Sequence, residues 1–452
     1  MSLPNNVLQL AQAIQSAGGR ALIVGGWVRD RLVGALSKDI DVEVHSLSAD
    51  ALEGILCDLG AFDAVGASFG VYKFTPHGER SALDVSLPRR EVKTGVGHKA
   101  FSIEIDPWAG IEKAASRRDF TLNALAYDPL TNKVLDPFGG TDDLANGILR
   151  HTSPAFSEDP LRVLRAMQFC GRFKLKACED TLSLSYSLSR EFVSLSGERV
   201  WGEWEKWASK STEPSMGLHF LYQCGWLIHF PELARMLWCP QDREWHKEGG
   251  VWAHTKHVCD AAARIAVRES LSHEDRVVLL MAALLHDVGK PCTTIWEGGR
   301  IKSPGHAEVG RQLARKFFSV MSGVPNHVVD RVCELVGLHM YHLNEITPRV
   351  VRRLVHTHLK YNSVDMLALL MEADHSGRPP LPVGMPASAA LLRDEVHTYL
   401  SNMKPEPLVM GRHLLEKGWK PGVEMGAKLK ELYELQIEEG LELEELLEKT
   451  KC

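Results

Sequence analysis

Two sets of residues in this 452-residue chain have the types and spacing to handle phosphate chemistry. The first is Asp39-Ile40-Asp41-Val42-Glu43-Val44, where acids alternate with aliphatics. A strand has a two-residue side-chain period, so the three acids share one face and the aliphatics enter a core. Carboxylates at i and i+2 on a strand suit Mg²⁺, a hard cation that takes oxygen ligands. Alone, an alternating acidic strand is more often a solvated outer face. Just upstream, Val24-Gly25-Gly26-Trp27-Val28-Arg29-Asp30 sets a Gly pair between a buried strand and a helix start. Glycine lets backbone approach a ligand, and helix N-terminal N–H groups favour phosphate. The second set is His254, the doublet His286-Asp287, then His306, His339 and Asp374, separated by 32, 20, 33 and 35 residues. Each gap is long enough to place the next ligand on a different helix. Mixed His/carboxylate sets suit a divalent transition metal and activate water on a phosphate ester. The chain has 20 histidines, and His257, His273 and His342 are read as bystanders.

The elements that must position these residues follow from the patterning. An amphipathic helix is predicted over 6–17, ending at Gly18-Gly19. Strands are predicted at 21–24, 39–44, 70–75 and 82–87, with helices near 27–36 and 48–59. That mixture indicates an α/β or α+β first domain, and with the helical remainder we take the chain as α+β. From about 141 onward strand signals vanish and apolar residues recur at three- and four-residue spacing, so the remainder reads as helical. PPLPVGMPAS at 379–388 reads as a linker. The expected domains are 1–140, 141–240, 241–385 and 386–452.

Composition narrows the class. With 44% apolar and 24% charged residues, the chain is neither disordered nor fibrous. There is no run of 18 apolar residues to span a membrane and no basic-then-apolar secretory start. Nine scattered cysteines without C-x-x-C point to a reducing cytoplasm. The net charge of −6 is matched by the last 22 residues alone, which hold eight Glu and two Lys. The rest is neutral overall, with basic stretches at 88–118 and 150–175. The acidic total therefore does not exclude a nucleic-acid partner.

Five motifs carry a resemblance. GGWVRD, KDIDVEV, Arg117-Arg118-Asp119-Phe120-Thr121-Leu122-Asn123-Ala124, Asp136-Pro137-Phe138-Gly139-Gly140 and Glu158-Asp159-Pro160-Leu161-Arg162-Val163-Leu164-Arg165 follow in that order. This order resembles class II tRNA nucleotidyltransferases, the CCA-adding enzymes and their bacterial poly(A) polymerase relatives, over about residues 20–210. The resemblance implies a polymerase-β-like head with a small mixed sheet, then an all-helical neck and body that bind the base and tRNA. It implies that Asp39 and Asp41 are catalytic and hold Mg²⁺. Gly25, Gly26 and Arg29 would serve the triphosphate, and Arg118 and Asp119 the phosphate and ribose. Asp84, in ALDVSL, is a candidate third carboxylate.

Asp159 and Arg162 stand three apart behind Pro160, so they project on one side of a first helical turn. One accepts and one donates, matching the edges that cytosine and adenine share and opposing uracil and guanine. The resemblance adds Arg165 as a further nucleotide contact. Gln168 stands where many relatives have Arg. The basic, Gly-containing stretch 89–99 reads as a loop over the site. Trp201, Trp204 and Trp207, beside Glu198-Arg199, read as core.

LLHDVGKP, with His254-Thr255 upstream and GHAEVG downstream, resembles the HD phosphohydrolase superfamily. This implies that His254, His286, Asp287 and Asp374, with His306 and His339, hold a transition metal for phosphatase or phosphodiesterase chemistry. The acidic tail reads as a capping helix. The function expected is addition of C, C and A to a tRNA 3′ end from CTP and ATP, with a second hydrolytic site. The alternatives are addition of A alone, poly(A) addition, or a hydrolase whose head only binds RNA.

Overall fold

The computed structural model describes residues 3–35, 39–64, 70–93, 101–343, 345–401 and 406–450. It divides into Met1–Leu195 with His219–Gly225, and Ser196–Leu218 with Trp226–Cys452. PPLPVGMPAS lies within the second unit.

In the first unit the strands up to residue 135 are β1 (Arg20–Val24), β2 (Asp41–His45), β3 (Gly60–Ala64), β4 (Val71–Pro76), β5 (Leu83–Ser86), β6 (Arg89–Lys93), β7 (Phe101–Ile105), β8 (Ala126–Asp128) and β9 (Lys133–Leu135). Seven of them form one sheet in the order β3-β4-β5-β2-β1-β8-β9. The β2–β5 pair is parallel, and Asp41 stands directly opposite Asp84. On the other side Asp41 faces Val24, the residue before the Gly pair. Alternation along β2 does what the sequence predicted. Val42 and Val44 are buried with Leu10, Ile14, Leu52, Leu56 and Val85, beneath helices Asn5–Ser16 and Ala49–Leu59. Asp41 and Glu43 take the opposite face.

Three expectations need correction. The helix over 27–36 is shorter, Gly26–Leu32, because Gly34 takes a φ of +75° soon after it. Residues 89–93 are not loop; β6 pairs antiparallel with β7 as a two-stranded ribbon. The remaining loop residues, 94–99, lie outside the described residues. Strands also do not vanish after 141. Ile148–Leu149 pairs parallel with Lys176–Ala177, and Ile295–Glu297 forms a hairpin with Arg300–Lys302. These strands of two and three residues are too short to leave a periodic signal.

The second unit is otherwise helical. Val251–Arg268, His273–Leu285, His306–Ser319, Asn326–Leu338 and Val364–Ser376 pack around a core that includes Val258, Leu279, Leu280, Phe317, Val332 and Leu367. The tryptophan stripe is core as expected: Trp204 meets Trp207, Phe230 and Phe317 edge-on at 5.1–5.6 Å. The C-terminal helices form their own small core around Val409, Leu414, Leu432 and Leu446. Among the described residues, no helix is long and apolar enough to cross a membrane.

Two candidate active sites

The first site gathers at the head of β1 and β2. Gly25, with φ +74°, turns the chain from β1 into the helix Gly26–Leu32. A Cβ on Gly25 would lie 3.1 Å from Arg118 Nη1 and 3.7 Å from Asp41 Oδ2. Glycine at 25 thus lets backbone, carboxylate and guanidinium converge. Asp39 and Asp41 are both exposed to solvent. Partial desolvation raises the Asp41 carboxyl, against the pull of Arg118, with Asp84 and Asp39 adding to the rise. Crowded carboxylates of this kind fit a divalent cation, which relieves their mutual repulsion. Asp84 also holds Lys73 at 2.7 Å.

The third acid of the strand has a different job. Glu43 pairs with His45 at 3.1 Å and Arg118 at 3.3 Å. Burial works to raise its carboxyl, but those two partners hold it below the usual range. Glu43 aims Arg118 and is not an open ligand.

Arg29 and Asp119 lie deeper than the sequence suggested. Arg29 is 4% exposed. Its guanidinium donates to Asp30 and Asn123 and lies 4.6 Å from the Phe173 ring centre. Asp119 is 7% exposed. Its Oδ1 accepts from Phe120 N (2.9 Å) and Asn123 Nδ2 (2.8 Å), and its Oδ2 accepts Arg165 Nε (2.8 Å). Burial opposes ionisation, but Arg165 and Asn123 hold the carboxyl below its ordinary range. Asp119 therefore ties the RRD segment to the helix Leu161–Phe173. Arg162 makes a second tie, donating to Ala155 O at 2.7 Å and Arg117 O at 2.9 Å. Two of its five N–H groups are used this way. Asp159 caps the same helix through Leu161 N at 3.1 Å. Gln168 is buried in that helix. Asp136 accepts from Gly140 N and Thr141 N, so the DPFGG motif is a helix start.

The second site is a closed histidine cage. His254, His286, Asp287, His306, His339 and Asp374 are all buried and come from separate helices or their ends. His254 Nε2 lies 3.0 Å from Asp374 Oδ1. Asp287 faces two ways. Its Oδ2 is 3.2 Å from His286 Nε2, while its Oδ1 is 3.4 Å from His306 Nε2 and 3.9 Å from His339 Nε2. The far nitrogens are all tethered: Nδ1 of His286 to Ala283 O (2.8 Å), of His306 to Ser303 O (2.8 Å) and of His339 to Val336 O (2.7 Å). A carbonyl only accepts, so each Nδ1 carries the proton and each Nε2 lone pair points inward. His286 Nε2 is buried with no hydrogen-bond partner, and Asp287 Oδ2 beside it is approached at 2.7 Å by Lys290 Nζ. Such a donor set fits metal ions. Close helix packing makes the cage possible: a Cβ on Gly289 would collide with the His306 carbonyl.

Two further residues carry no sequence signal. Glu248 Oε1 sits 2.9 Å from His254 Nδ1 and 2.9 Å from His246 Nδ1. Although burial opposes it, this pairing takes Glu248 down to about 2. Burial would depress His254, but Asp374 and Glu248 lift it to about 9. His342, read as a bystander, lines the cavity outside the cage and donates to the His339 carbonyl at 3.1 Å.

Residues 21–150 match the family model of the poly A polymerase head domain, and 251–362 match the HD domain. The multifunctional CCA protein of Vibrio cholerae is 34% identical over 367 residues, covering 79% of this chain and 86% of that protein. The Nitrosococcus oceani protein of the same name is 35% identical over 368 residues, covering 79% and 85%. This chain belongs to the CCA-adding tRNA nucleotidyltransferases. The family fold extends over the chain. The Bacillus stearothermophilus CCA-adding enzyme in complex with CTP matches with TM-score 0.61 at 20% identity, covering 99% of this chain and 98% of that one. The Thermotoga maritima CCA-adding enzyme complexed with tRNA matches with TM-score 0.60 at 19% identity, covering 99% and 94%. As a nucleotidyltransferase, this chain brings Gly25, Asp41, Asp84 and Arg118 together at one end of the central strands β1, β2 and β5. It gathers Asp119, Arg162 and Arg165 into a brace and keeps Arg29 inside.

Proposed function

We propose that this protein adds C, C and A to the 3′ end of tRNA from CTP and ATP, and that its HD domain hydrolyses phosphate esters. The observation that carries the first part is the convergence of the Gly25 backbone, Asp41 and Arg118. In the reaction the RNA 3′-hydroxyl attacks the α-phosphorus of the nucleotide, a P–O bond forms, and pyrophosphate leaves. Asp39 and Asp41, with Asp84 alongside, would hold Mg²⁺, which when bound neutralises charge on the attacking and leaving oxygens. Arg118, aimed by Glu43, binds phosphate as a preoriented guanidinium. The Gly25-Gly26 turn lets backbone N–H groups reach the triphosphate. Asp159 and the unused N–H groups of Arg162 read the shared edge of cytosine and adenine. A good bidentate pair of this kind is worth about 1–3 kcal/mol against the wrong base. The ties from Arg162 to Ala155 and Arg117 and from Arg165 to Asp119 keep that reader rigid.

In the HD domain the cage would hold divalent transition metal, whose chemistry is to lower the pKa of a bound water. The two faces of Asp287 give His254 and His286 with Asp374 one side, and His306 with His339 the other. Lys290, 2.7 Å from Asp287 Oδ2, supplies positive charge beside the scissile phosphate.

The test uses tRNAs ending before the first C, before the second C and before the A, each with CTP or ATP alone. Stepwise extension of all three is expected. Extension of the last substrate only would leave an A-adding enzyme, and long A tails a poly(A) polymerase. Asp41→Ala abolishes incorporation while phosphate ester hydrolysis persists; Asp287→Ala does the reverse. Incorporation by Asp41→Ala at the wild-type rate would overturn the head assignment.

A further inference from the structure

The site face of β2 does not end at Glu43. His45 follows two residues on, on the same side of the strand as Asp41 and Glu43. It is 4% exposed. Its Nε2 lies 3.1 Å from Glu43 Oε1 and its Nδ1 lies 3.2 Å from the Ala109 carbonyl oxygen. Both neighbours accept. A carbonyl has no proton to give, and the partners of Glu43 hold it in its ionised form. A neutral imidazole has one N–H, so either tautomer would turn a bare lone pair on one of these oxygens. The imidazolium donates to both. The other charged groups around the ring are matched elsewhere or act through Glu43. Arg20, its neighbour across β1, holds Asp128 at 2.8 Å. In the 106–113 segment that brings Ala109, Asp106 pairs with Lys113 at 3.6 Å. Arg118 takes the other Glu43 oxygen at 3.3 Å, and Arg89 on β6 stands in the field of the same carboxylate.

We propose that His45 is a positioning residue of the nucleotidyltransferase site: held as an imidazolium, it shares the Glu43 carboxylate and so keeps Arg118 from being neutralised before the nucleotide triphosphate arrives. His45, Glu43 and Arg118 then form a row of charges, plus, minus, plus, with one positive charge left for phosphate. Loss of the His45 proton leaves Glu43 and Arg118 to cancel. It also removes one of the two hydrogen bonds that fix the ring, so the carboxylate that aims Arg118 is itself less fixed. Nucleotide affinity should therefore fall as pH rises. The inference rests on Arg118 as the phosphate-binding cation and adds what governs it.

The test is incorporation by the full chain, with KM for ATP and for CTP followed from neutral to alkaline pH. Both should rise together in the wild type, because Arg118 meets phosphate and not the base. His45→Gln keeps a donor to Glu43 without the charge. It should raise both KM values at neutral pH by one factor, roughly three- to tenfold, up to the difference between a charged and a neutral donor. The change in kcat should be smaller, and KM should no longer climb with pH. In an Arg118→Ala background His45→Gln should change nothing further, whereas damage to the fold would add its own factor. Nitrogen NMR of the imidazoles, with His45 assigned by its loss in His45→Gln, should show both ring nitrogens protonated at neutral pH. A neutral ring, a change confined to one nucleotide, or a His45→Gln profile parallel to the wild type overturns the proposal. Arg118→Ala should raise KM and flatten the same profile; an equally steep climb without Arg118 overturns the proposal even if His45→Gln does not fold. If Arg118→Ala leaves KM unchanged, the phosphate reading of Arg118 fails and this inference falls with it. If Arg118→Ala raises KM and His45→Gln does not, the inference alone falls.

Discussion

Asp119→Asn separates an organising carboxylate from a substrate-binding one. In the structure both Asp119 oxygens are already engaged, by Phe120 N, Asn123 and Arg165. The substitution keeps the shape and one acceptor. It replaces the oxygen facing Arg165 with an amide donor, or turns the donor toward Asn123. Either way a donor meets a donor, and an arginine with a 34% exposed side chain loses its counter-charge. Removing one partner from a buried pair costs about 3–5 kcal/mol. Solvent reaching Arg165 reduces that to roughly 2–3 kcal/mol, because water takes over part of the lost bonding. Urea denaturation followed by circular dichroism should show a lower midpoint with an unchanged slope. Incorporation rates for ATP and 2′-deoxy-ATP should fall by the same factor, since the brace serves both. A variant with wild-type stability that loses only the preference for ribose would refute the reasoning and make Asp119 a direct ribose contact.

Three further outcomes follow from the geometry. Gly25→Ala should cost about 1–2 kcal/mol for a left-handed φ and should lower nucleotide incorporation further through the Arg118 contact, readable as a rise in KM for ATP. Glu248→Gln should weaken metal binding at the HD site about 10- to 100-fold, measured by competition with a chromophoric chelator; unchanged affinity would show that Glu248 does not orient His254. Acid should destabilise the first unit through Asp119, whose folded carboxyl lies below its ordinary value. Its contribution is complete above the unfolded pKa of about 3.9 and is lost as pH falls through the lower folded value. The acid limb of a pH–stability curve should therefore be shallower in Asp119→Asn.

The acidic strand was legible because its period and its chemistry coincide: Asp41 and Glu43 alternate with Val42 and Val44, although the strand starts at Asp41 and leaves Asp39 outside it. The histidine cage was legible through LLHDVGKP and its flanking His254-Thr255 and GHAEVG, which resemble the HD superfamily; widely spaced histidines alone say little in a chain with 20 of them. What escaped was tertiary. That Asp84 stands beside Asp41 depends on β2 pairing parallel with β5, which no local pattern encodes. The same holds for Glu248, an ordinary acid until the fold sets it against two histidines, and for His342. The resemblance gave Arg29 and Asp119 ligand contacts and was silent on their burial, which is unusual for charged residues. Each is buried because it found a fixed partner of opposite polarity. The short hairpin at 295–302 offered too few residues for any period.

The tethers of His286 and His339 have a consequence for how the histidine cage assembles. Each residue follows directly on the last turn of its helix, and each ring proton satisfies a carbonyl that the helix end would leave bare. Helix termination and ligand aim are thus one local event. The imidazoles are oriented by their own backbone as soon as those helices form, ahead of any cation. A substitution that lets either helix run on by a turn, far from the cage in chemistry, would swing a ligand out of line.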